Sequence, residues 1–320
     1  MKKAFYFFYH KTLVGNLIRY MYHLLKERVW PDKVVIKYDY RRSMGKTLNL
    51  SNPVTLNEKI NWLKLNDRRK IQTICADKVL VRDYIKDKIG EQYLVPLILV
   101  VKNANEIENE DLPEFPVIIK TNHDSGGVFM IRNKNTIDLK PIRVKLNDRL
   151  RKNYYLKSKE WQYKNIKPRI LVEKLLLTKS GDIPMDYKVH CFNGKAHLIQ
   201  VDIGRGSESH FRNWYDTNWE RQPFKWSSPK ANNKRTDPAD FDIDKPTSLS
   251  EMLELSNTLA QPFDYVRIDW YNVDGTLYFG EITFHHDSGY QPIVPEEWDV
   301  KLGNLVKLGE NSKKNDLLNA

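Results

Sequence analysis

The chain has 320 residues, of which 41 % are hydrophobic, 29 % charged and 12 % aromatic; a real core can form in one large domain or in two to three closely packed subdomains. A net charge of +11 attracts polyanions without choosing among nucleotides, nucleic acid, acidic polysaccharide and an anionic membrane, and no arginine-rich tail or zinc pattern points to nucleic acid. The two cysteines, Cys75 and Cys191, argue against a disulfide framework or a metal pair and fit a reducing cytosol.

No apolar run approaches the roughly 18–20 residues that span a bilayer. Lys2-Lys3 and the short run Ala4 to Tyr9, interrupted by His10 and Lys11, make a poor signal peptide. Residues 4–27 read as a helix, because Val14, Leu17, Ile18, Met21, Leu24 and Leu25 recur at three- and four-residue spacing. Its other positions are basic and aromatic. Such a helix suits an anionic membrane surface or a place packed on its own domain.

Residues 31–56 read as irregular. Helices are expected over 57–65 and over 77–88, the second ending at Gly90. Pro116 to Lys120 reads as a short buried strand, followed by a polar, glycine-bearing loop from His123 to Gly127. Residues 140–157 read as a helix, and Arg169 to Leu177 as an apolar strand broken only by Glu173 and Lys174. Asn193-Gly194 between two strand-like runs is a strong hairpin signal. Residues 204–247, with Trp214, Trp219 and Trp226, read as a long irregular segment of the functional or mobile kind. A helix is expected over 249–259, then a second hairpin from Val266 to Phe284.

Turn length in that hairpin decides which side chains share a face. A two-residue turn at Asp274-Gly275 would set Asp269 opposite Gly280 and point Glu281 the other way. A three-residue loop, Val273-Asp274-Gly275, sets Arg267 opposite Glu281 and gathers Arg267, Asp269, Glu281 and Thr283 on one face, with Val266, Ile268, Trp270, Tyr278, Ile282 and Phe284 on the other. The cleaner segregation favours the three-residue loop. The charged face reads as a salt-bridged sheet surface or as hard oxygen ligands for magnesium.

The remaining candidates carry plain alternatives too. Lys120 and the loop His123, Ser125, Gly126 and Gly127 could cradle phosphates, or be a strand-end lysine and a surface turn. Glu173, Lys174, Leu175 and Leu176 could offer a backbone edge to adenine, or be core strand. Asp186 and Lys188 share a strand face by alternation, as a site pair or a salt bridge.

In this order the pieces resemble the ATP-grasp superfamily, and more closely its TupA-like family of bacterial surface-polysaccharide synthesis. The stretches that carry the likeness are Thr55 to Trp62, Ala76-Asp-Lys78, Ile119 to His123, Asp186 to Gly194, Val266-Arg-Ile-Asp269 and Gly280-Glu-Ile-Thr-Phe284. The resemblance covers roughly residues 50–305. It implies an α+β fold in which two subdomains clasp ATP. The boundaries follow as a basic helical extension over 1–66, a linking segment over 67–115, a lid over 116–176 and a metal-bearing C-terminal subdomain over 177–320.

Residue by residue, the resemblance implies Lys78 and Lys120 as nucleotide-binding lysines, the 123–128 loop as a phosphate lid, Glu173 to Leu176 as the adenine edge and Asp186 as a ribose contact. Lys188 and Arg267, as phosphate contacts, are the catalytic candidates. Asp269 and Glu281 match the magnesium carboxylates. Thr283 stands where the superfamily often has asparagine, which puts a second metal in doubt. Arg205 and Arg212, with Ser288 and Gly289, are candidates for the acceptor. The implied reaction joins a carboxylate, such as a uronic acid of a lipid- or nucleotide-linked glycan, to an amino acid or peptide amine, in the cytoplasm or at the inner face of the membrane. A glycosyltransferase and a non-catalytic scaffold of glycan assembly are the competing expectations.

Overall fold

A computed structural model describes residues 12–205, 210–230 and 234–311. The chain opens with helices α1 (Leu13–Arg28) and α2 (Asp32–Met44). The part of the expected first helix before residue 12 lies outside the described residues. Helix α2 corrects the irregular reading of 31–56. Its apolar contacts, Val35, Ile36 and Tyr40, are few, and exposed Lys33, Lys37, Arg41 and Arg42 dilute the periodicity. Gly45, left-handed at φ 71°, ends it by donating to Arg41 O. Helix α3 (Leu56–Asn66) begins with a Thr55–Glu58 capping box. Two short helices follow, α4 (Lys70–Ala76) and α5 (Val81–Ile89). The expected helix from Asp77 starts four residues later, because the Asp77 carboxylate bonds the Val79 N–H at 2.9 Å and forms a turn.

The next elements are β1 (Leu97–Val101), β2 (Val117–Thr121), β3 (Val128–Ile131), α6 (Leu139–Leu150), α7 (Tyr154–Ser158) and β4 (Ile170–Lys174). The four strands form an antiparallel sheet in the order β1-β4-β2-β3. Leu139, Ile142 and Leu146 of α6 cover its inner face, against Val117, Ile119, Ile131 and Val172. The expected helix over 140–157 is two helices. Asn153 interrupts it by accepting the Tyr155 N–H at 3.0 Å, which starts a new turn.

The C-terminal half holds β5 (Asp186–Phe192), β6 (Lys195–Ile203), β7 (Phe211–Asp216), β8 (Lys225–Trp226), α8 (Leu249–Ala260), β9 (Tyr265–Val273), β10 (Thr276–Thr283), β11 (Ile293–Val294) and α9 (Glu297–Asn304). The central sheet is antiparallel in the order β10-β9-β5-β6-β7. One face is apolar: Val189, Cys191, Ile199, Val201, Val266, Ile268 and Trp270 pack on Leu249, Met252 and Leu259 of α8. Each such side chain contributes roughly 1.5–3 kcal/mol. By alternation the opposite face carries Asp186, Lys188, Gln200, Asp202, Arg212, Arg267 and Asp269.

The expectation for residues 204–247 is also corrected in part. Strands β7 and β8 lie within them, and two of the three tryptophans are core. Trp214 and Trp226 are buried and stacked at 5.2 Å, while Trp219 stacks on Tyr215 at 4.4 Å.

The second hairpin departs from the expected loop while keeping the expected polar face. Its turn has two residues: Val273 faces Thr276, and Asp274 and Gly275 are left-handed at φ 50° and 97°. A bulge at Gly280 then restores the face, as pairing passes from Phe279↔Trp270 to Glu281↔Asp269. A Cβ on Gly280 would stand 3.1 Å from the Asp269 carbonyl oxygen, so the bulge leaves little room for a side chain. Before the bulge the faces are exchanged. Leu277 and Phe279 enter the core in place of Tyr278.

Candidate active site

Strand register assembles the polar face. Glu281 faces Asp269 across β10/β9, Asp269 faces Lys188 across β9/β5, and Lys188 faces Gln200 across β5/β6. Arg267 ties the row together. It donates to Asp269 at 2.6 and 2.7 Å, to Glu281 at 3.1 Å and to the Thr283 hydroxyl at 3.0 Å. Lys188 donates to Asp269 at 2.9 Å and pairs with Asp186, which also pairs with Arg205. Oδ1 of Asp186 is buried with no protein hydrogen-bond partner.

The four-stranded sheet stands across a cleft from this face. Lys120 pairs with Glu173 at 2.6 Å, and Arg82 reaches the same carboxylate at 3.2 Å. The Lys78 ammonium donates to the Asp124 carbonyl at 2.6 Å. Val128 and Met130 of β3 are 44 % and 54 % exposed, an unusual apolar surface to leave open. Two adjoining cavities share Val95, Lys120 and Glu173. The wider, of about 310 Å³, lies between Ile118, Val128 and Met130 on one side and Asp186, Arg205 and Tyr271 on the other, with Lys174, Leu175 and Leu176 at its edge. The narrower, of about 20 Å³, is lined by Lys78, Lys120, Arg82 and Glu281. The N–H groups of Lys174 and Leu175 bond Pro96 and Pro116 carbonyls at 2.9 Å, which fixes the edge in place.

The structure therefore brings Lys78, Lys120, Glu173 to Leu176, Asp186, Lys188, Arg205, Arg267, Asp269, Glu281 and Thr283 around one cleft. The loop after β2 stands at its rim. Gly126 and Gly127 are left-handed at φ 80° and 70°, and Ser125 O accepts from Arg149 at 3.1 Å. The His123 ring is buried and turned to the Arg149 and Lys152 carbonyls at 3.3 and 3.2 Å, so its side chain does not line the cleft as expected.

Arg212, Ser288 and Gly289 are not at the cleft edge. Arg212 is buried on β7, bonded to Asp202 at 2.8 Å and Ser228 at 2.6 Å. Ser288 and Gly289 sit in a left-handed loop after β10, where Asn61 donates to Gly289 O at 2.9 Å. His286 links the two groups: Arg267 donates to its Nδ1 at 2.7 Å, and Nε2 lies 3.4 Å from Asp287, itself 3.5 Å from Arg212. Sequence reasoning did not single out His286, Asp202, Arg82 or Tyr271. The His285-His286-Asp287 run just after Glu281 and Thr283 was the available signal.

The charges are balanced against burial. Burial raises the Glu281 carboxyl, but Arg267, Lys78, Lys188 and Arg205 outweigh it and hold it at about 2. Burial raises Asp269 further than Arg267 and Lys188 lower it. Burial lowers the Lys78 ammonium and takes His286 well below its usual value, so His286 is neutral. Because Nδ1 accepts from Arg267, its proton is on Nε2.

Among the described residues no group of three His, Cys, Asp or Glu side chains could hold a metal alone. Two carboxylates are available instead. Arg267 and Lys188 occupy both Asp269 oxygens, whereas the Glu281 side chain is 45 % exposed. This donor set suits magnesium, which takes one or two carboxylates and completes its shell with phosphate and water oxygens. The Thr283 hydroxyl accepts from Arg267 and donates to Glu281 at 3.1 Å.

No curated protein matches the chain. Among solved structures it is similar to D-alanine–D-alanine ligase from Bacillus anthracis complexed with ATP, at 18 % identity and TM-score 0.38, covering 66 % of this chain and 55 % of that one. It is also similar to L-amino acid ligase from Bacillus licheniformis, at 12 % identity and TM-score 0.44, covering 81 % and 56 %. The chain thus spans little more than half the length of these two proteins. The assignment rests on sequence: the profile of one family matches residues 58–307, some three quarters of the chain. The protein belongs to the TupA-like ATPgrasp family, and its fold is that of ATP-grasp proteins.

Proposed function

We propose that the cleft binds ATP with magnesium and that the protein is an ATP-dependent carboxylate–amine ligase. The observation that carries this is the pairing of Glu281 with Asp269, clamped by Arg267 and Lys188, where Glu281 lines a cavity together with Lys78 and Lys120. Four cations around two carboxylates suit a triphosphate with its metal. Glu281 and Asp269 would hold the magnesium. Ile118, Val128, Met130 and Leu176 offer an apolar slot for a flat ring, and the unpartnered Oδ1 of Asp186 suits a ribose hydroxyl.

Bound ATP would supply the phosphoryl group that turns a carboxylate into an acyl phosphate, from which an amine displaces phosphate. The chain's own part is positioning and charge neutralisation. Arg267, held by four side chains, is pre-set to receive charge growing on the transferred group. Lys188 and Arg205 stand on the acceptor side of the cleft, and Arg205, with its side chain 59 % exposed, is the cation most open to an incoming carboxylate. Net charge and family favour a uronic acid of a surface glycan as that carboxylate, with an amino acid or peptide as the amine.

The test is a thermal-shift and ADP-release screen. Magnesium ATP is expected to raise the melting temperature where nucleotide sugars do not. Release of ADP is expected only when a uronic acid and an amine are both present. Stabilisation by nucleotide sugars with none by ATP would contradict the reading.

A further inference from the structure

Helix α1 faces the wrong way for a helix of an isolated globular protein. Val14, Leu17, Ile18, Met21 and Leu25, with Val29 just beyond its end, are each 44–65 % exposed. At 3.6 residues per turn these six fall within about 120° of the helix circumference. They form one continuous outward stripe.

The inward side is polar and aromatic, and it is anchored: Tyr22 packs edge-on to Trp30, and Trp30 to Tyr38 of α2. Lys26 pairs with Asp39 of α2 and lies over the Tyr38 ring at 5.3 Å. Lys159 beyond α7 donates to the Glu27 carbonyl at 2.7 Å, and Tyr155 of α7 donates to Asp32 at 2.7 Å. The chain thus holds the helix by its polar and aromatic groups and turns a stripe of aliphatic groups out.

Charge is concentrated in the same stretch of sequence. The first 46 residues carry eleven Lys and Arg against three Asp and Glu, a net +8 of the chain's +11. Helix α2, packed against α1, exposes Lys33, Lys37 and Arg41.

We propose that the α1–α2 pair docks on an anionic lipid bilayer, with the α1 stripe in the headgroup–acyl boundary and the cations of α2 on the lipid headgroups. An apolar stripe beside a dense positive charge is what an interfacial helix needs. A second copy of the chain would also cover the stripe, but its own +8 opposes that pairing, whereas anionic lipid satisfies both features. Among the described residues no helix is long and apolar enough to cross a membrane, so the helix lies on the surface. Nothing in this depends on what the cleft binds.

The test is sedimentation of the full chain with phosphatidylcholine vesicles, with and without one-third phosphatidylglycerol. Binding is expected to the anionic vesicles and to weaken with salt. Substituting Leu17→Asp, Met21→Asp and Leu25→Asp together should weaken it at least tenfold with the melting temperature unchanged. Lys33→Glu, Lys37→Glu and Arg41→Glu together should weaken it roughly a hundredfold, as each cation near the surface is worth about fivefold. Equal binding to neutral vesicles, or binding indifferent to both triple variants, would overturn the proposal. So would a dimer in solution that the aspartate variant dissolves, with no vesicle binding.

Discussion

Arg267 divides its guanidinium among Asp269, Glu281, Thr283 and His286. Only a neutral His286 can accept from it, and burial keeps the ring neutral. His286→Ala would leave a buried N–H unpaired, costing about 1–3 kcal/mol. We expect kcat for ADP release to fall roughly ten- to hundredfold with KM for ATP little changed, and His286→Asn, which keeps an acceptor near Nδ1, to recover most of it. A fall in KM alone would contradict this. Lys64 gives a second prediction. It is fully buried under Tyr290 and hydrogen-bonds the Ser288 carbonyl at 2.5 Å, and burial lowers its ammonium to about 8 despite Glu160 and Asp39. Below pH 8 both folded and unfolded chains hold this proton. Between about 8 and the ordinary 10.5 only the unfolded chain does, so this group makes stability rise with pH there, by at most about 3 kcal/mol. Denaturant unfolding should show wild type gaining on Lys64→Met from pH 8 to pH 10.

The Gly280 bulge is where element geometry decides chemistry. The two-residue turn alone would have separated the carboxylates, and one extra residue in β10 reunites them. Gly280→Val forces a side chain toward the Asp269 carbonyl and the Tyr271 ring, 3.1 and 3.3 Å from the new Cβ. We expect it to lower stability by about 1–3 kcal/mol and to cut ADP release more than tenfold by moving Glu281, measured by unfolding and turnover. Unchanged turnover would mean that Glu281 needs no such placement. The same hairpin shows what could be read in advance. Alternation around Arg267 and Asp269 and the Asp274-Gly275 turn signal are local, so they were legible. A bulge depends on backbone approach across the ladder and left no local mark beyond one glycine. Helix α2 was hidden because much of its surface is solvated and basic, and β1 because its partner, β4, lies some seventy residues away. The Asn193-Gly194 hairpin, with both signals local, was read correctly.

At the scale of the molecule, two antiparallel sheets face each other across a cleft, each backed by its own helix, α6 or α8. Salt bridges cross within each wall, and Lys78 spans from the α4–α5 turn to the loop after β2. The site residues thus come from just over 200 positions of sequence, from Lys78 to Thr283. Their order along the chain was legible through family resemblance. Their convergence was legible only where strand pairing could be reasoned, and the link through His286 to Arg212 emerged from tertiary packing alone. The most direct test of the central claim is magnesium-dependent ADP release by the double variant Asp269→Asn, Glu281→Gln. It should fold as wild type and release no ADP above background with any carboxylate–amine pair that wild type uses. Turnover equal to wild type would show that these carboxylates do not hold the metal and would contradict the account.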